Sequence, residues 1–240
     1  KCILSTPGAK FMTMDVKNFY LYTRLTSPEY AWVPLSQIPI ATQQRYNVAA
    51  LAVNDKVLVE ITGGMYGLPQ AGLLAQRDLV KHLAANGYHE TTTSCLFRHQ
   101  TRDIYFTLIV DDFGVMFSDQ ADADHLQSVL SAKYEVHLDW SGNRFLGIDL
   151  AWDYAQRSMT ISMADFVAKA LERYGYNFSK GKRHSPGGFV RPEYGAKQQL
   201  VHDDNTLPLS LQDIRLVQSI TGTFLWYCRV LSSPSAKLAR

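Results

Sequence analysis

The order of apolar and polar positions along the chain predicts a mixture of short strands and helices. Residues 10–16 form a weakly alternating apolar run, which predicts a buried strand that ends near Asp15. Two further apolar runs, 105–110 and 113–117, flank the pair Asp111-Asp112, so we expect two strands joined by a turn at that pair. Other short strands are predicted at 95–98, 144–150 and 158–161, with a turn at 152–157, and a hairpin is predicted over 53–61 with its turn at Asn54-Asp55.

The spacing of apolar residues predicts two helices in the first two thirds of the chain. A loop rich in Gly and Pro, at 63–72, precedes a helix that ends at the stop signal Asn86-Gly87. Asp119 is expected to cap a second helix. The apolar positions expected to face inward are Leu73, Leu79, Val80, Leu83 and Ala84 in the first helix and Leu126, Val129, Leu130 and Tyr134 in the second.

Two more helices are predicted in the last third of the chain. Ser162 is expected to cap one that ends at Gly175, and Ser210 with Asp213 forms the capping box of the other. Between them, at 177–205, glycines and prolines mix with basic residues, which indicates a basic linker. The inward positions are Phe166, Val167, Ala170, Leu171 and Tyr174 in the first of these helices and Ile214, Val217, Ile220, Phe224 and Leu225 in the last.

The fold class follows from the order of these elements. Strands and helices are mixed without strict β-α-β alternation, so we predict an α+β fold. Three prolines, Pro28, Pro34 and Pro39, are expected to break up any long element between 27 and 40.

Composition narrows the class of protein. The chain has 240 residues, 46% of them hydrophobic and 19% charged, which excludes a disordered tail, a collagen-like repeat and a disulfide-dense scaffold. The apolar run at 105–110 is far too short to cross a bilayer, so no membrane partner is expected. A net charge of +2 gives no overall basic field, and any polyanion must therefore be held by local patches.

Cysteines and histidines point to a reduced protein without a zinc site. Three widely spaced cysteines fit an intracellular protein with free thiols. None of the seven histidines stands in an H-E-x-x-H motif or a comparable pair, so we expect no zinc site built from histidines. The chain begins at Lys1 with neither an initiator Met nor a signal segment, and we expect it to be a fragment of a longer protein.

Three aspartates are the strongest candidates for chemistry. Asp is a common turn residue, which by itself would explain Asp111-Asp112. The apolar flanks, however, hold both carboxylates close to a core, where like charges raise each other's pKa unless a cation neutralises them. Asp15 also closes an apolar strand, so pairing of the two strands would create a three-carboxylate site suited to two divalent ions.

Four segments stand in an order that resembles the motifs of reverse transcriptases, with the nearest resemblance to those of copia-type LTR retrotransposons. The segments are 15–20 (DVKNFY), 65–72 (MYGLPQAG), 108–113 (LIVDDF) and 144–148 (RFLGI). The stretch 215–230 also looks like the helix that follows the thumb in copia-type polyproteins, so the resemblance covers nearly the whole chain.

The resemblance implies a fold and a division of the chain. It implies a polymerase palm, in which helices lie behind an antiparallel sheet, with partial fingers and a helical thumb and connection. Residues 1–162 would form the partial fingers and palm. Residues 163–240 would form the thumb and the start of the connection, including the basic linker at 177–205. Lys180, Lys182 and Arg183 of that linker could contact template–primer phosphates or simply be solvated.

The resemblance also implies roles for individual residues. Asp15 and Asp111 would bind two Mg²⁺ or Mn²⁺ ions, Asp112 would assist, and the Val16 carbonyl would ligate the ion on the nucleotide side. Tyr20 would be the steric gate that rejects a ribose 2′-hydroxyl. The remaining implied contacts are Gln70 with the incoming nucleotide and Phe145, Leu146 and Gly147 with the primer end.

Local sequence alone leaves other roles open for these residues. Tyr20 could be a core aromatic, Gln70 a polar loop residue before a helix, and 145–147 an ordinary strand with a bulge at its glycine. Lys133 is a candidate general acid for pyrophosphate, with a solvated lysine at a helix end as the alternative.

The implied activity is RNA-directed DNA polymerisation, with an RNA or DNA template, a primer and deoxynucleoside triphosphates as partners. RNase H and integrase are expected elsewhere in the parent polyprotein, and the expected location is a cytoplasmic virus-like particle with a possible nuclear phase. Two alternatives stay open: a nucleic-acid-binding module without catalysis, which would stack bases on exposed sheet aromatics, and an inactive transposon remnant.

Overall fold

A computed structural model describes residues 2–176, 195 and 207–231. The chain divides into two compact units, Lys1–Ser158 and Met159–Arg240. The basic linker predicted at 177–205 lies outside the described residues apart from Gly195.

The strands are β1 (Lys10–Val16), β2 (Arg24–Pro34), β3 (Lys56–Gly63), β4 (Tyr88–Glu90), β5 (Leu96–His99), β6 (Ile104–Ile109), β7 (Asp112–Phe117), β8 (Val136–Asp139), β9 (Arg144–Phe145), β10 (Ile148–Asp153) and β11 (Ser158–Ser162). The α-helices are α1 (Cys2–Ser5), α2 (Ile40–Arg45), α3 (Pro69–Ala85), α4 (Gln120–Ser131), α5 (Ala164–Arg173) and α6 (Leu211–Leu231).

The first unit is built around a six-stranded antiparallel sheet in the order β4-β5-β6-β7-β1-β8. Alternate residues of its strands point to a core that is completed by α3 and α4. This mixture of an antiparallel sheet and helices agrees with the predicted α+β class. The buried core residues include Met12, Met14 and Val16 from β1, Phe113 and Val115 from β7, Leu79 and Leu83 from α3, and Leu126 and Leu130 from α4.

A second, two-stranded sheet corrects two of the sequence predictions. β2 runs for eleven residues through Pro28, which was expected to break it, but the strand does end at Pro34 and a new helix begins after Pro39. Proline is tolerated here because β2 is an edge strand whose register with β3 shifts between Arg24 and Glu29. The turn at Asn54-Asp55 is present, with φ of 50° and 59°. The strand after it pairs with β2, and only one isolated bridge closes the local hairpin expected over 53–61.

The loop expected at 63–72 ends earlier than predicted, because α3 begins at Pro69. Proline suits this first helical position since its missing N–H would have no partner there. Gly72, expected in the loop, lies within the first turn of the helix. The predicted end is confirmed: α3 stops before Asn86, and Gly87 has a left-handed φ of 86°. Leu73, expected to face inward, is 54% exposed.

The strand predicted over 144–150 is a tight hairpin instead. Leu146 and Gly147 have φ of 51° and 78° and form the turn between β9 and β10. Two consecutive residues with positive φ are typical of a two-residue hairpin turn. β10 continues through Trp152, which was expected in a turn.

The two helices of the second unit differ from the predictions at their ends and faces. Met163, not Ser162, precedes α5, and no side chain caps the helix; the stop at Gly175 is present, with φ of 63°. Ser210 accepts a hydrogen bond from the Asp213 N–H at 3.1 Å, which confirms the capping box of α6. Of the five positions of α6 expected inside, Ile220 and Phe224 are half-buried, whereas Ile214, Val217 and Leu225 are exposed.

Asp119 caps α4 as predicted, since its carboxylate accepts a hydrogen bond from the Ala121 N–H at 3.0 Å. In the part of the chain that the structure describes, no helix combines the length and the apolar character that crossing a bilayer requires.

Candidate active site

The three aspartates meet at one end of the central sheet. β1 and β7 pair antiparallel, and Asp15 stands directly opposite Asp112 in the register. Asp111 lies in the two-residue turn that joins β6 to β7, and its carbonyl accepts a hydrogen bond from the Val16 N–H at 3.2 Å. The turn was expected at Asp111-Asp112, but it consists of Val110-Asp111 because Asp112 pairs with Ile109 as the first residue of β7. Tertiary pairing thus brings together aspartates that lie almost a hundred residues apart in the chain.

The electrostatics of this end of the sheet disfavour negative charge. Partial burial raises the pKa of Asp111 above its ordinary value, and the charge of Asp15 adds to that effect while a backbone hydrogen bond opposes it. Burial also raises the pKa of Asp112, followed by the charges of Asp111 and Asp15. The three carboxylates therefore repel one another in a half-buried place, where a divalent cation would relieve the repulsion.

The donor set fits a hard divalent cation, since carboxylate oxygens are the ligands that Mg²⁺ prefers. In the described ranges 2–176 and 207–231, however, no group of three or more Asp, Glu, His or Cys side chains is already arranged to hold a metal ion. Val16, whose carbonyl was expected to be a ligand, is buried at the end of β1.

The turn that carries Asp111 holds an uncommon backbone conformation. Val110 has φ of 61°, in the left-handed region that β-branched residues rarely adopt. Its side chain is 45% exposed, so burial alone does not explain why a valine is kept there. Such strain is typical of functional turns, in which the surrounding structure holds a residue against its preference. Here the paired strands β6 and β7 on both sides hold the turn.

Tyr20 lies in a 3-10 turn, Phe19–Tyr22, that follows β1 by three residues. Its ring is half-buried and meets Tyr66 edge to face, with 4.8 Å between ring centroids. A Cβ added at Gly72 would lie 3.6 Å from the Tyr20 hydroxyl oxygen, so the first turn of α3 is one wall of the place that Tyr20 occupies. Phe19, which is 1% exposed, lies within the core, and the partly buried Tyr20 packs against that same core, so the structure is also compatible with the core role that local sequence allowed for Tyr20.

Tyr66 is a member of the site that residue-by-residue reasoning missed. Partial desolvation raises the pKa of its hydroxyl, and the charges of Asp111, Tyr20 and Asp15 raise it further. It therefore lies within electrostatic reach of two of the aspartates. Tyr66 stands within the segment MYGLPQAG, but an exposed tyrosine in a glycine-rich loop carries no local signal of a role.

Gln70 and Lys133 have partners outside the aspartate cluster. The Gln70 amide donates a hydrogen bond to Glu29 of β2 at 2.5 Å, which ties the first turn of α3 to the two-stranded sheet. Lys133 forms an ion pair with Asp78 of α3, with 2.5 Å between nitrogen and oxygen. Burial lowers the pKa of Lys133, but the hydrogen bond to Asp78 and the neighbouring groups together raise it. Lys133 is therefore paired with α3 in this structure.

The β9-β10 hairpin packs on the aspartate-bearing face of the sheet. Gly114 follows Asp112 by two residues on β7 and faces the same side. A Cβ added at Gly114 would lie 2.9 Å from the Phe145 ring, so the ring covers that glycine closely. Phe145 also meets Phe11 edge to face, with centroids 5.9 Å apart. The turn residues Leu146 and Gly147 are thereby held at a fixed place relative to the sheet.

Comparison with known proteins links the chain to a transposon protein of yeast. No protein-family model matches the chain. A protein of Saccharomyces cerevisiae, named provisionally as a transposon Ty5-1 protein, is 28% identical over 235 residues, which cover 95% of this chain and 68% of the yeast protein. The chain is therefore similar, over almost its whole length, to a transposon protein.

Proposed function

We propose that the chain is the RNA-directed DNA polymerase core of a retrotransposon. It would add deoxynucleotides to a primer 3′-hydroxyl along an RNA or DNA template and release pyrophosphate. The observation that carries the proposal is the pairing of Asp15 with Asp112 beside the turn that bears Asp111. Similarity to a transposon protein supports the same assignment.

The three aspartates would form the catalytic centre. Asp15 and Asp111 would hold the ions, with Asp112 assisting and the Val16 carbonyl as a further ligand. Two bound divalent ions, Mg²⁺ or Mn²⁺, supply activation of the 3′-hydroxyl and stabilisation of the leaving pyrophosphate in this class of reaction. The mutual repulsion of half-buried carboxylates supports cation binding, because neutralisation removes an electrostatic penalty that the fold imposes.

The other predicted residues would position substrates around that centre. Tyr20, set between Tyr66 and the first turn of α3, would exclude a ribose 2′-hydroxyl by its bulk. Gln70 would exchange its bond with Glu29 for a contact with the incoming nucleotide. The turn of the β9-β10 hairpin, Leu146 and Gly147, would hold the primer end, with Phe145 anchoring the hairpin to the sheet.

In this proposal the six-stranded sheet with α3 and α4 is the palm, the β2-β3 sheet belongs to the fingers, and the second unit is the thumb and the start of the connection. The partners are a template with its primer and deoxynucleoside triphosphates, and RNase H and integrase lie elsewhere in the parent polyprotein. The polymerase would work in a cytoplasmic particle, with a possible nuclear phase.

Primer extension on an RNA template in the presence of Mg²⁺ tests the proposal. Asp111→Asn removes one charge at nearly constant size, and we expect extension to fall by about a hundredfold or more, in line with the loss of a group that stabilises charge in a transition state. Asp124→Asn is the matched control, because Asp124 is an exposed residue of α4 whose carboxylate accepts a hydrogen bond from Gln120 on the same helix. If the unaltered chain extends the primer and the Asp111→Asn variant extends it equally well, the mechanism is overturned.

A second candidate is an inactive transposon-derived protein that binds nucleic acid. The observation in its favour is that no three-ligand metal group is formed among the described residues. Metal-dependent extension separates the two candidates, since this second protein would bind a primer–template but extend nothing at any Mg²⁺ or Mn²⁺ concentration.

A further inference from the structure

A groove of about 340 Å³ lies between the start of β2 and one face of α3 in the first unit. Its volume is at the lower end of the range for small-molecule sites. The residues that line it are Thr23, Arg24, Leu74, Arg77, Asp78 and Lys81.

The groove collects positive charge that has no partner. Arg24, Arg77 and Lys81 are exposed, and none of them forms an ion pair in the part of the chain that the structure describes. Asp78 is the acidic residue of the lining, and its carboxylate is already bound to Lys133 at 2.5 Å. An anion that enters the groove would therefore meet three free cations.

The cations of the groove repel one another. Arg77 and Lys81 stand four residues apart on α3, a spacing at which like charges repel and destabilise a helix. Arg24, from a different element, is brought to the same groove and adds to the repulsion. A bound anion would turn these repulsions into attractions, because each cation would gain a charge-assisted hydrogen bond.

The framework of the groove is firmly held. The Gly64 N–H donates to the Thr23 carbonyl at 2.7 Å, which fixes the start of β2. Tyr20, three residues before Thr23, packs against Gly72, which lies two residues before Leu74 on α3. The chain segment that leads into β2 is thus fixed both to α3 and to the loop before it.

We infer that Arg24, Arg77 and Lys81 form a phosphate-binding groove. Arginine forks match phosphate oxygens in two parallel hydrogen bonds, and lysine adds a compact charge. The phosphate comes from the backbone of a nucleic-acid strand bound to the first unit or from a free polyphosphate. The first source rests on the proposed polymerase function, whereas the site itself does not.

The test measures binding in EDTA, so it does not depend on catalysis. A fluorescein-labelled single-stranded oligodeoxynucleotide is titrated with the full chain across a range of salt concentrations, and tripolyphosphate binding is measured by calorimetry. The groove variant is Arg24→Gln with Arg77→Gln and Lys81→Gln. The control variant is Lys10→Gln with Lys56→Gln and Arg98→Gln, which removes the same charge from exposed positions elsewhere in the unit.

The groove variant loses three contacts with the nucleic-acid backbone, so the magnitude of the slope of log K against log salt concentration should fall by about 2. Its affinity for the oligonucleotide should fall by about tenfold or more. The control variant should show smaller changes in both the slope and the affinity. If only tripolyphosphate binding is lost in the groove variant, the groove is a site for free polyphosphate. Equal changes in both variants, for both probes, would show that net charge alone matters and would overturn the inference. Thermal melts that match between the two variants ensure that lost binding is not lost folding.

Discussion

Gly114 offers a sharp test of how the β9-β10 hairpin is seated. In Gly114→Ala the new Cβ would lie 2.9 Å from both the Phe145 ring and the Thr107 hydroxyl oxygen, and 3.1 Å from a second ring atom. These distances are well below an ordinary van der Waals contact, so the Phe145 ring, the Thr107 side chain or the strands that carry them must shift. Overpacking of this kind destabilises a protein by roughly 1–3 kcal/mol. We expect the free energy of unfolding to fall by that amount.

A double-mutant cycle assigns the effect to the ring. Phe145→Ala alone should destabilise the chain by about 1–2 kcal/mol, since it removes a half-buried ring and its edge-to-face contact with Phe11. In the double variant two of the three close contacts of the new Cβ are gone, and only the Thr107 hydroxyl remains. The two effects should therefore not add: the double variant should be more stable than the sum of the single losses predicts, by a coupling energy of about 1–2 kcal/mol. The remaining contact with Thr107 should keep the double variant somewhat less stable than Phe145→Ala.

Equilibrium urea unfolding measures all four corners of this cycle, with Gly63→Ala as control. Gly63 has an ordinary backbone conformation, and a Cβ there would meet only the Thr23 carbonyl oxygen at 3.9 Å, so its replacement should be nearly neutral. Additive effects of Gly114→Ala and Phe145→Ala would refute the close seating of the hairpin. A stable Gly114→Ala variant would refute it as well.

Three further predictions concern stability. In EDTA, which removes divalent cations, Asp111→Asn should raise the melting temperature at pH 7, because the folded chain raises the pKa of this carboxyl and so disfavours its charge. The gain should vanish as the pH falls below the ordinary value of 3.8, and an unchanged melting temperature at pH 7 would contradict this prediction. Burial, with the charges of Arg102 and His99, lowers the pKa of His125, so stability should decrease as the pH falls through 6.5, and His125→Gln should flatten that dependence in thermal melts. Ser210→Ala should cost α6 about 1 kcal/mol in urea unfolding, and no loss would argue against the capping box.

Local patterns in the sequence were sufficient where a short stretch determines its own conformation. The strand ending at Asp15, the cap at Asp119, the stop at Gly87 and the box at Ser210 all appear in the structure. Each depends on a few neighbouring residues, since side-chain caps and positive φ are properties of one turn of chain. The order of the four motifs was likewise legible in the sequence and carried the resemblance to reverse transcriptases.

Predictions failed where a distant strand supplied the partner. β2 passes through Pro28 because β3 pairs with it across a register shift. The strand after Asn54-Asp55 pairs with β2 and does not form the expected local hairpin. The turn between β6 and β7 lies one residue earlier in the chain than predicted, because Asp112 pairs with Ile109 and so belongs to β7. Backbone hydrogen bonds between strands decide register, and no local signal reports which distant strand will be chosen.

The candidate site shows the same division. The residue types, three aspartates at the ends of apolar runs, could be named from the sequence, because charge next to a buried strand is unusual wherever it occurs. Their meeting at one end of the sheet, the edge-to-face contact of Tyr66 with Tyr20, and the bond of Gln70 with Glu29 required the tertiary structure. The sequence by itself determined which side chains are present, and long-range packing alone decided which of them lie within reach of one another.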